Sequence, residues 1–356
     1  MLAEPTAAAP VTASLTPSHI MQVGMGFWAS KVMLTAVKLE LFTVLAPKPL
    51  SANEIKHNLN LGCSDRHVFD WLDCLVSLGF LKRDGLLENA QYSNAPETDF
   101  FLDKKKRSYM GGILEMANSR LYNYWGSLEE ALLTGKPQNE TRDNPQANME
   151  FFTQLYKDPR ALQEFMDAMS GIQTGNFMAL AGKFNFNKYD TLLDVGGADG
   201  WLSIQVCMHH RDIKCINYDL PPVEPVAKKK IAGFDLSHRI EFAGGDFLKD
   251  PIPKADLITM GNILHGLLED TKQELVQKAY DALPEGGAFI AIENIIDNDR
   301  RQNTFGMLMS LNMLIENGDA FDYTMNDFER WAKKAGFKRT ELIPLAGPTS
   351  AAVAYK

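Results

Sequence analysis

A short apolar run that stops in an acid and a cluster of glycines constrains this chain more than any other feature. Residues 189–200 read YDTLLDVGGADG. Leu192, Leu193 and Val195 give the pattern of a buried strand. Asp194 falls near its end, Gly196, Gly197 and Gly200 follow, and Leu202, Ile204, Val206 and Met208 then suit a helix laid on a sheet. The unit is strand, glycine turn, helix. Without a Cβ such a turn lets a ligand approach the backbone, and the unpaired N–H groups of the helix start point into the same space. The glycine spacing departs from the G-x-G-x-x-G dinucleotide fingerprint, so the turn alone names no ligand.

The elements that follow narrow the choice. Lys214–Tyr218 reads as a second strand with Asp219 at its tip, where doubly wound nucleotide sites bind a ribose diol. A third apolar stretch, IEFA, runs into Gly244, Gly245, Asp246 and Phe247. The pattern predicts strands over 189–195, 214–218, 239–243, 256–262, 287–293, 338–343 and 350–355. Helices are expected over 200–208, 223–232, 270–282, 305–316 and 325–335. Such alternation means a mostly parallel sheet covered on both faces, with ligands beyond the carboxyl ends of its strands. Asp194, Asp219, Asp246 and Glu293 all fall at those ends. Each acid taken singly also reads as a solvated strand tip; the ordered set points to a nucleoside.

LLDVGGADG, GGDFL, ILHGLLED, LPEGGAFIAIE and FERWAKKAGF, in that order, resemble the class I S-adenosylmethionine (SAM) methyltransferases. More narrowly, the chain is similar to the small-molecule O-methyltransferases of the caffeate, hydroxyindole and polyketide-tailoring type, from about Pro17 to its end. The resemblance implies an α/β fold, with a Rossmann-like class I methyltransferase domain over 183–356. Before it stand a mostly α-helical winged-helix dimerisation domain over 15–110 and a helical linker over 111–182 lining the substrate site. Residues 1–14, rich in Ala, Pro and Thr, read as a disordered tail. The implied cofactor is SAM. Asp219, with Leu220 beside it, would take the ribose diol. Gly245 and Asp246 would meet the adenine edge and Phe247 its face. Gly196 and Gly197 would pass the carboxyl tail, and Asp194 would order the turn or meet the amino group. Met169, Ser170 and Gln173 match positions that close over the methionine end.

Methyl transfer from a sulfonium asks the protein for position and a base. Histidine is the right type near neutral pH. In ITMGNILHGLLED, His265 stands just after a strand at the ligand end. In the related enzymes the matching His is followed by Asp and Trp and is the base; here Gly266 and Leu267 take those places. Glu293 matches the first supporting acid. Asp322 matches the second and is shorter than the Glu common there. His265 is therefore expected to take the acceptor proton while Glu293 and Asp322 orient its ring. Met307, Met309, Asn312, Met313 and Glu316 lie at helical spacings suited to an acceptor wall, with Trp125 as a stacking candidate. Core packing is the alternative for the methionines and the tryptophan. Asn312 and Glu316, four apart, share a face. The four cysteines show no metal spacing, and no metal is assigned.

The formal charge of −9 argues against binding a phosphate backbone. Residues 50–97 read as two helices and a hairpin, with Ser51 and Ser64 as N-caps and Gly79 as a stop. That is the outline of a winged helix, which often binds DNA. The helix that would read the groove, however, sets Asp65, Asp70 and Asp73 against Arg66, and acids there repel phosphates. No apolar run was expected to reach the roughly 18 residues of a membrane span, and no signal peptide is evident. A cytoplasmic protein with reduced thiols is the expectation. Residues 17–46 are apolar on most sides, which asks for a cover. A second subunit supplies it in the related enzymes, which are homodimers; the chain's own later helices are the alternative. The expected acceptor is a hydroxyl of a small aromatic or polyketide-like metabolite. Ring C-methylation of a phenolic amino acid such as tyrosine or hydroxykynurenine stays open. So does SAM binding without methyl transfer.

Overall fold

The computed structural model describes residues 15–106, 108–140, 142 and 155–356; the expected tail at 1–14 lies outside them. The chain divides into two compact units, one up to residue 107 and one from Ser108. The helical stretch expected at 111–182 falls within the second unit.

In the first unit, Ser51 caps the helix Ala52–Asn58 through a full capping box with Glu54. The helix Asp65–Ser77 ends at Gly79, whose φ of +83° is the left-handed turn that glycine tolerates best. Strands β1 (Leu50–Ser51), β2 (Leu81–Asp84) and β3 (Gln91–Asn94) form an antiparallel sheet in the order β1-β3-β2. Ile55, Val68, Leu72, Leu75 and Tyr92 are buried beneath it. The helix acids have local partners: Asp65 with Lys56, Asp70 with Arg66 and Asp73 with Arg83. Lys104 pairs with Glu40 and Lys106 with Asp99.

The membrane expectation needs correction. The stretch Ser18–Lys38 is 21 residues long with a mean hydropathy of 1.2, enough to cross a membrane by length and composition. The helical segments Ser18–Gly24 and Gly26–Lys38 follow one another across a single residue. Only 17% of that window is buried, and Ile20, Met21, Val23, Phe27 and Trp28 stand exposed.

The second unit is built on seven strands: β4 (Thr191–Val195), β5 (Lys214–Asp219), β6 (Ile240–Gly244), β7 (Leu257–Gly261), β8 (Ala288–Glu293), β9 (Arg339–Pro344) and β10 (Ser350–Tyr355). Their order is β6-β5-β4-β7-β8-β10-β9. The first five are parallel; β10 runs antiparallel to both β8 and β9. Alternation along β4 sends Leu193 and Val195 into one core with Ile258, Phe289 and Trp331. Leu192 goes into the other with Ile204, Leu257 and Ile290. A strand buried on both faces reads as a continuous apolar run, which is why these strands stand out in the sequence. Strand order reverses at β4, whose neighbours are β5 on one side and β7 on the other. A parallel sheet opens its ligand crevice at the carboxyl ends beside such a point.

Candidate active site

The turn after β4 is tight at its glycines. Gly196 has φ +68° and Gly200 φ +81°. A Cβ on Gly197 would lie 1.9 Å from Asn217 Oδ1 and 2.9 Å from Asp194 Oδ2. Asn217 in turn donates through Nδ2 to the Ala198 carbonyl, at 2.9 Å. Asp194 is buried and accepts from the Thr259 hydroxyl at 2.8 Å. Burial raises its carboxyl to about 7, against the Thr259 bond and with the Asp219 and Asp199 charges adding to the rise. Asp194 thus lies packed against the turn at Gly197.

Asp219 holds the turn from the side. Its two oxygens accept from the amides of Ala198 (2.8 Å) and Leu220 (2.7 Å), and burial raises its carboxyl. Each oxygen keeps a further lone pair. Gly245 donates its amide to the Asp219 carbonyl at 3.0 Å, and a Cβ there would meet the Tyr218 hydroxyl at 2.3 Å. Asp246, next along, is partly exposed and lies below its usual range through Lys249 and the Leu248 amide. Lys278 fixes this loop by donating to the carbonyls of Phe247, Leu248 and Asp250. The Phe247 ring lies 3.7 Å from where a Gly196 Cβ would be. Two carboxylates with spare acceptor capacity, a glycine turn and an aromatic face are therefore grouped at the ends of β4, β5 and β6.

Asp199 was not singled out in the sequence. It is fully buried and accepts from the Ser170 hydroxyl at 2.7 Å and from Lys230 Nζ at 2.5 Å. Ser170 is thereby tied to the turn, and Met169 precedes it on the helix Pro159–Lys183. Gln173 accepts from Asn176, one turn on. The signal for Asp199 was a further acid inside a glycine turn, flanked by Ala198 and Gly200.

At the far side of the reversal, β7 ends in Gly261 and Asn262. Asn262 has φ +52°, which Asn tolerates better than most residues, and its amide bonds the Ile292 carbonyl at 3.0 Å. This bend turns the 3-10 segment Leu264–Gly266 over the tip of β8. Glu293 Oε1 accepts from the amides of Ile263 (3.2 Å), Leu264 (3.0 Å) and His265 (3.5 Å). Glu293 Oε2 has no hydrogen-bond partner among the described residues. His265 Nδ1 lies 3.5 Å from Asp322 Oδ2, an ion-pair distance without hydrogen-bond geometry, and among the described residues both Asp322 oxygens are otherwise unpartnered. Burial pushes Glu293 up to about 7, Asp322 adding and His265 opposing. For His265 burial is also the largest influence and works against the charged ring. Glu293 and Asp322 outweigh it and leave the imidazole above its ordinary range. The three expected catalytic residues are thus brought together, with a ring nitrogen of His265 and one carboxylate oxygen each of Glu293 and Asp322 all within 4.8 Å of one another.

The helix Thr304–Asn317 approaches the same turn: Asn317 Nδ2 donates to the Gly266 carbonyl at 3.3 Å. Asn312 Oδ1 accepts from the Trp125 indole at 2.9 Å, which joins two expected acceptor-site residues. Met309 Sδ lies 4.0 Å from Asn312 Nδ2, and Met313 is buried one position on. Glu316 is not available as a free carboxylate. Arg120 grips it at 2.9 and 2.6 Å, Asn139 approaches at 3.3 Å, and Arg120 also holds Glu140 at 2.6 and 2.8 Å. Glu316 therefore braces the wall. Arg120 stands in a π-helical turn, Ala117–Leu121, of a kind frequent at functional sites. Nothing in its sequence surroundings marked it.

A family profile described as the O-methyltransferase domain matches residues 125–338, and a second, the O-methyltransferase dimerisation domain, matches residues 21–104. The chain belongs to the O-methyltransferase family. Among its relatives is the tetracenomycin polyketide synthesis 8-O-methyl transferase TcmO of Streptomyces glaucescens. The two are 35% identical over 340 residues, 96% of this chain and 97% of that one. The N,N-dimethyltransferase OxyT of Streptomyces rimosus is 28% identical over 319 residues, 90% of each. Among solved structures, human N-acetylserotonin methyltransferase in complex with SAM superposes with a TM-score of 0.85 at 27% identity. That match covers 97% of this chain and 99% of the human one. This O-methyltransferase carries the fold expected of it: a helical dimerisation domain, then an α/β domain with a mixed sheet.

Proposed function

We propose that the protein transfers the methyl group of SAM to a hydroxyl of a small aromatic or polyketide-like metabolite, with His265 as the general base. The observation that carries this reading is the grouping of one imidazole with two buried carboxylates, next to a glycine-and-acid cradle at the reversal of the sheet. The cradle suits SAM by its chemistry. Asp219 and Asp246 offer carboxylate lone pairs to a diol and an amine, and Phe247 offers a face to a flat ring. Gly196 and Gly197 leave the backbone bare for the amino acid end, and Met169 and Ser170 would close over it, Ser170 being tied to the turn through Asp199. SAM when bound supplies an electrophilic methyl with a neutral thioether as leaving group.

The rest falls to this chain's own residues. Glu293 holds the amides of residues 263–265 and so fixes the turn that presents His265. Asp322, on the Nδ1 side, orients the ring and favours the imidazolium that forms when Nε2 accepts the acceptor proton. Trp125, Asn312, Met309 and Met313 would form a mostly apolar wall for an aromatic acceptor, with the Trp125–Asn312 hydrogen bond and the Arg120–Glu316 pair bracing it. The relatives' printed activities include polyketide and acetylserotonin O-methylation, which supports the hydroxyl as acceptor. The dimerisation domain and the exposed apolar face over Ser18–Lys38 support a homodimer.

His265→Ala tests the role of the base. We expect kcat to fall by roughly 10²–10⁴-fold, the usual contribution of a positioned base, with binding of S-adenosylhomocysteine retained. The wild-type kcat/KM should rise with pH through a limb above the ordinary histidine range, because His265 must be neutral to act and its acids hold the proton. Full turnover by the variant would remove His265 from the chemistry.

A further inference from the structure

Lys272 is the most unusual residue around the base. It lies in the first turns of the helix Glu269–Ala282, and its side chain is fully buried. Its Nζ donates to the Leu267 carbonyl at 2.6 Å and sits 3.6 Å from the centroid of the Phe321 ring. Leu267 is two residues beyond His265, and Phe321 is the residue before Asp322. One ammonium therefore lies between the two chain segments that carry the base and its acid, held by a carbonyl on one and a cation–π contact on the other.

The charges around it leave it a definite task. Four acids face Lys272: Glu293, Asp322, Glu269 and Asp327. Two of these already share a partner, since Arg330 pairs with Glu269 at 2.8 Å and with Asp327 at 3.0 Å. That leaves Glu293 and Asp322, the pair that also bears on His265. The charged groups acting on His265 are those two acids and Lys272, and Lys272 acts in the opposite sense to the acids. The neighbouring Tyr323 phenol is buried and held protonated by burial and the same two acids. A buried lysine normally surrenders its proton; burial does pull Lys272 down, to about 8, while the acids resist.

We propose that Lys272 is a positioning residue for the transfer: its buried positive charge offsets the Glu293–Asp322 pair, so that His265 releases its proton readily enough to serve as a base. Two uncompensated buried carboxylates beside an imidazole would lock it as imidazolium, which cannot accept a proton. With Lys272 present, one acid is balanced and the other is left to orient the ring. The idea rests on His265 being the base, and its test separates the two.

The experiment is an NMR titration of labelled histidine in the full-length protein, comparing wild type with Lys272→Met and Lys272→Gln, alongside kcat/KM against pH. Two neutral replacements are used so that one reads out if the other fails to fold. The His265 midpoint should move up by about one pH unit in each variant. The acidic limb of kcat/KM should follow it, for about a tenfold loss below the limb that is recovered at higher pH. An unchanged or lowered His265 midpoint overturns the proposal. A raised midpoint with an unmoved limb upholds the charge balance and instead counts against His265 as the base. A purely structural role for Lys272 would lower activity at every pH without raising that midpoint.

Discussion

Asp194 shows how much of this site is paid for in stability. Its carboxylate is buried, has Thr259 as its one hydrogen-bond partner in the described structure, and is raised by burial to about 7 from an ordinary value near 4. The folded protein therefore keeps a proton there that the unfolded chain releases. The sign follows: this stability is fully present below pH 4 and is lost as pH rises toward 7. Asp194→Asn keeps the shape and removes the charge. Melting temperatures measured from pH 4 to 8 should show the variant gaining on wild type across that window, by roughly 1.4 kcal/mol per pH unit at most. A constant offset between the two would mean that Asp194 is not held in its raised state. Lys272, beside His265, is a second buried group that burial shifts toward its neutral form, pulled down to about 8. Neither was fully legible in the sequence. Lys272 heads an apolar stripe at i, i+3, i+4 and i+7 with Leu275, Val276 and Ala279, but in EDTKQE it reads as one more solvated charge. Asp199 and Arg120 were missed for the same reason, since their importance lies in partners distant in sequence.

Among the elements, the strand–turn–helix unit built on β4 carries the plainest signature in the sequence. The sheet strands lie within two residues of the bounds expected from the sequence, because double-faced burial makes each an apolar run and glycines or acids punctuate its end. The two-residue β1 and the π-helical turn had no such signature, being products of packing. The direction of β10 was also hidden, since a period of two is the same for parallel and antiparallel neighbours. The turn itself makes a sharp prediction. Gly197→Ala would place a methyl 1.9 Å from Asn217 Oδ1, and Asn217 cannot retreat without dropping the Ala198 carbonyl that shapes the turn. We expect a stability loss of about 1–3 kcal/mol and a larger loss of S-adenosylhomocysteine affinity by calorimetry. Unaltered affinity would show that the turn does not need to be bare.

At the scale of the whole molecule, the two units divide the work. The second holds every residue assigned here to cofactor, base and acceptor wall. The first presents an apolar face along Ser18–Lys38 that the chain itself leaves largely open, and its match to a dimerisation domain accounts for that face by a second copy. The functional reading depends on methyl transfer to oxygen, because the relatives include enzymes named for O- and for N-methylation. The most direct measurement is incubation with carbon-13 methyl-labelled SAM and a panel of phenolic polyketides and aromatic amines, with the product read by NMR. The account predicts that the label appears as an aryl methyl ether in wild type and is nearly lost in His265→Ala. Label on a ring carbon or an amine nitrogen, or no transfer to any acceptor while SAM binds, would contradict it.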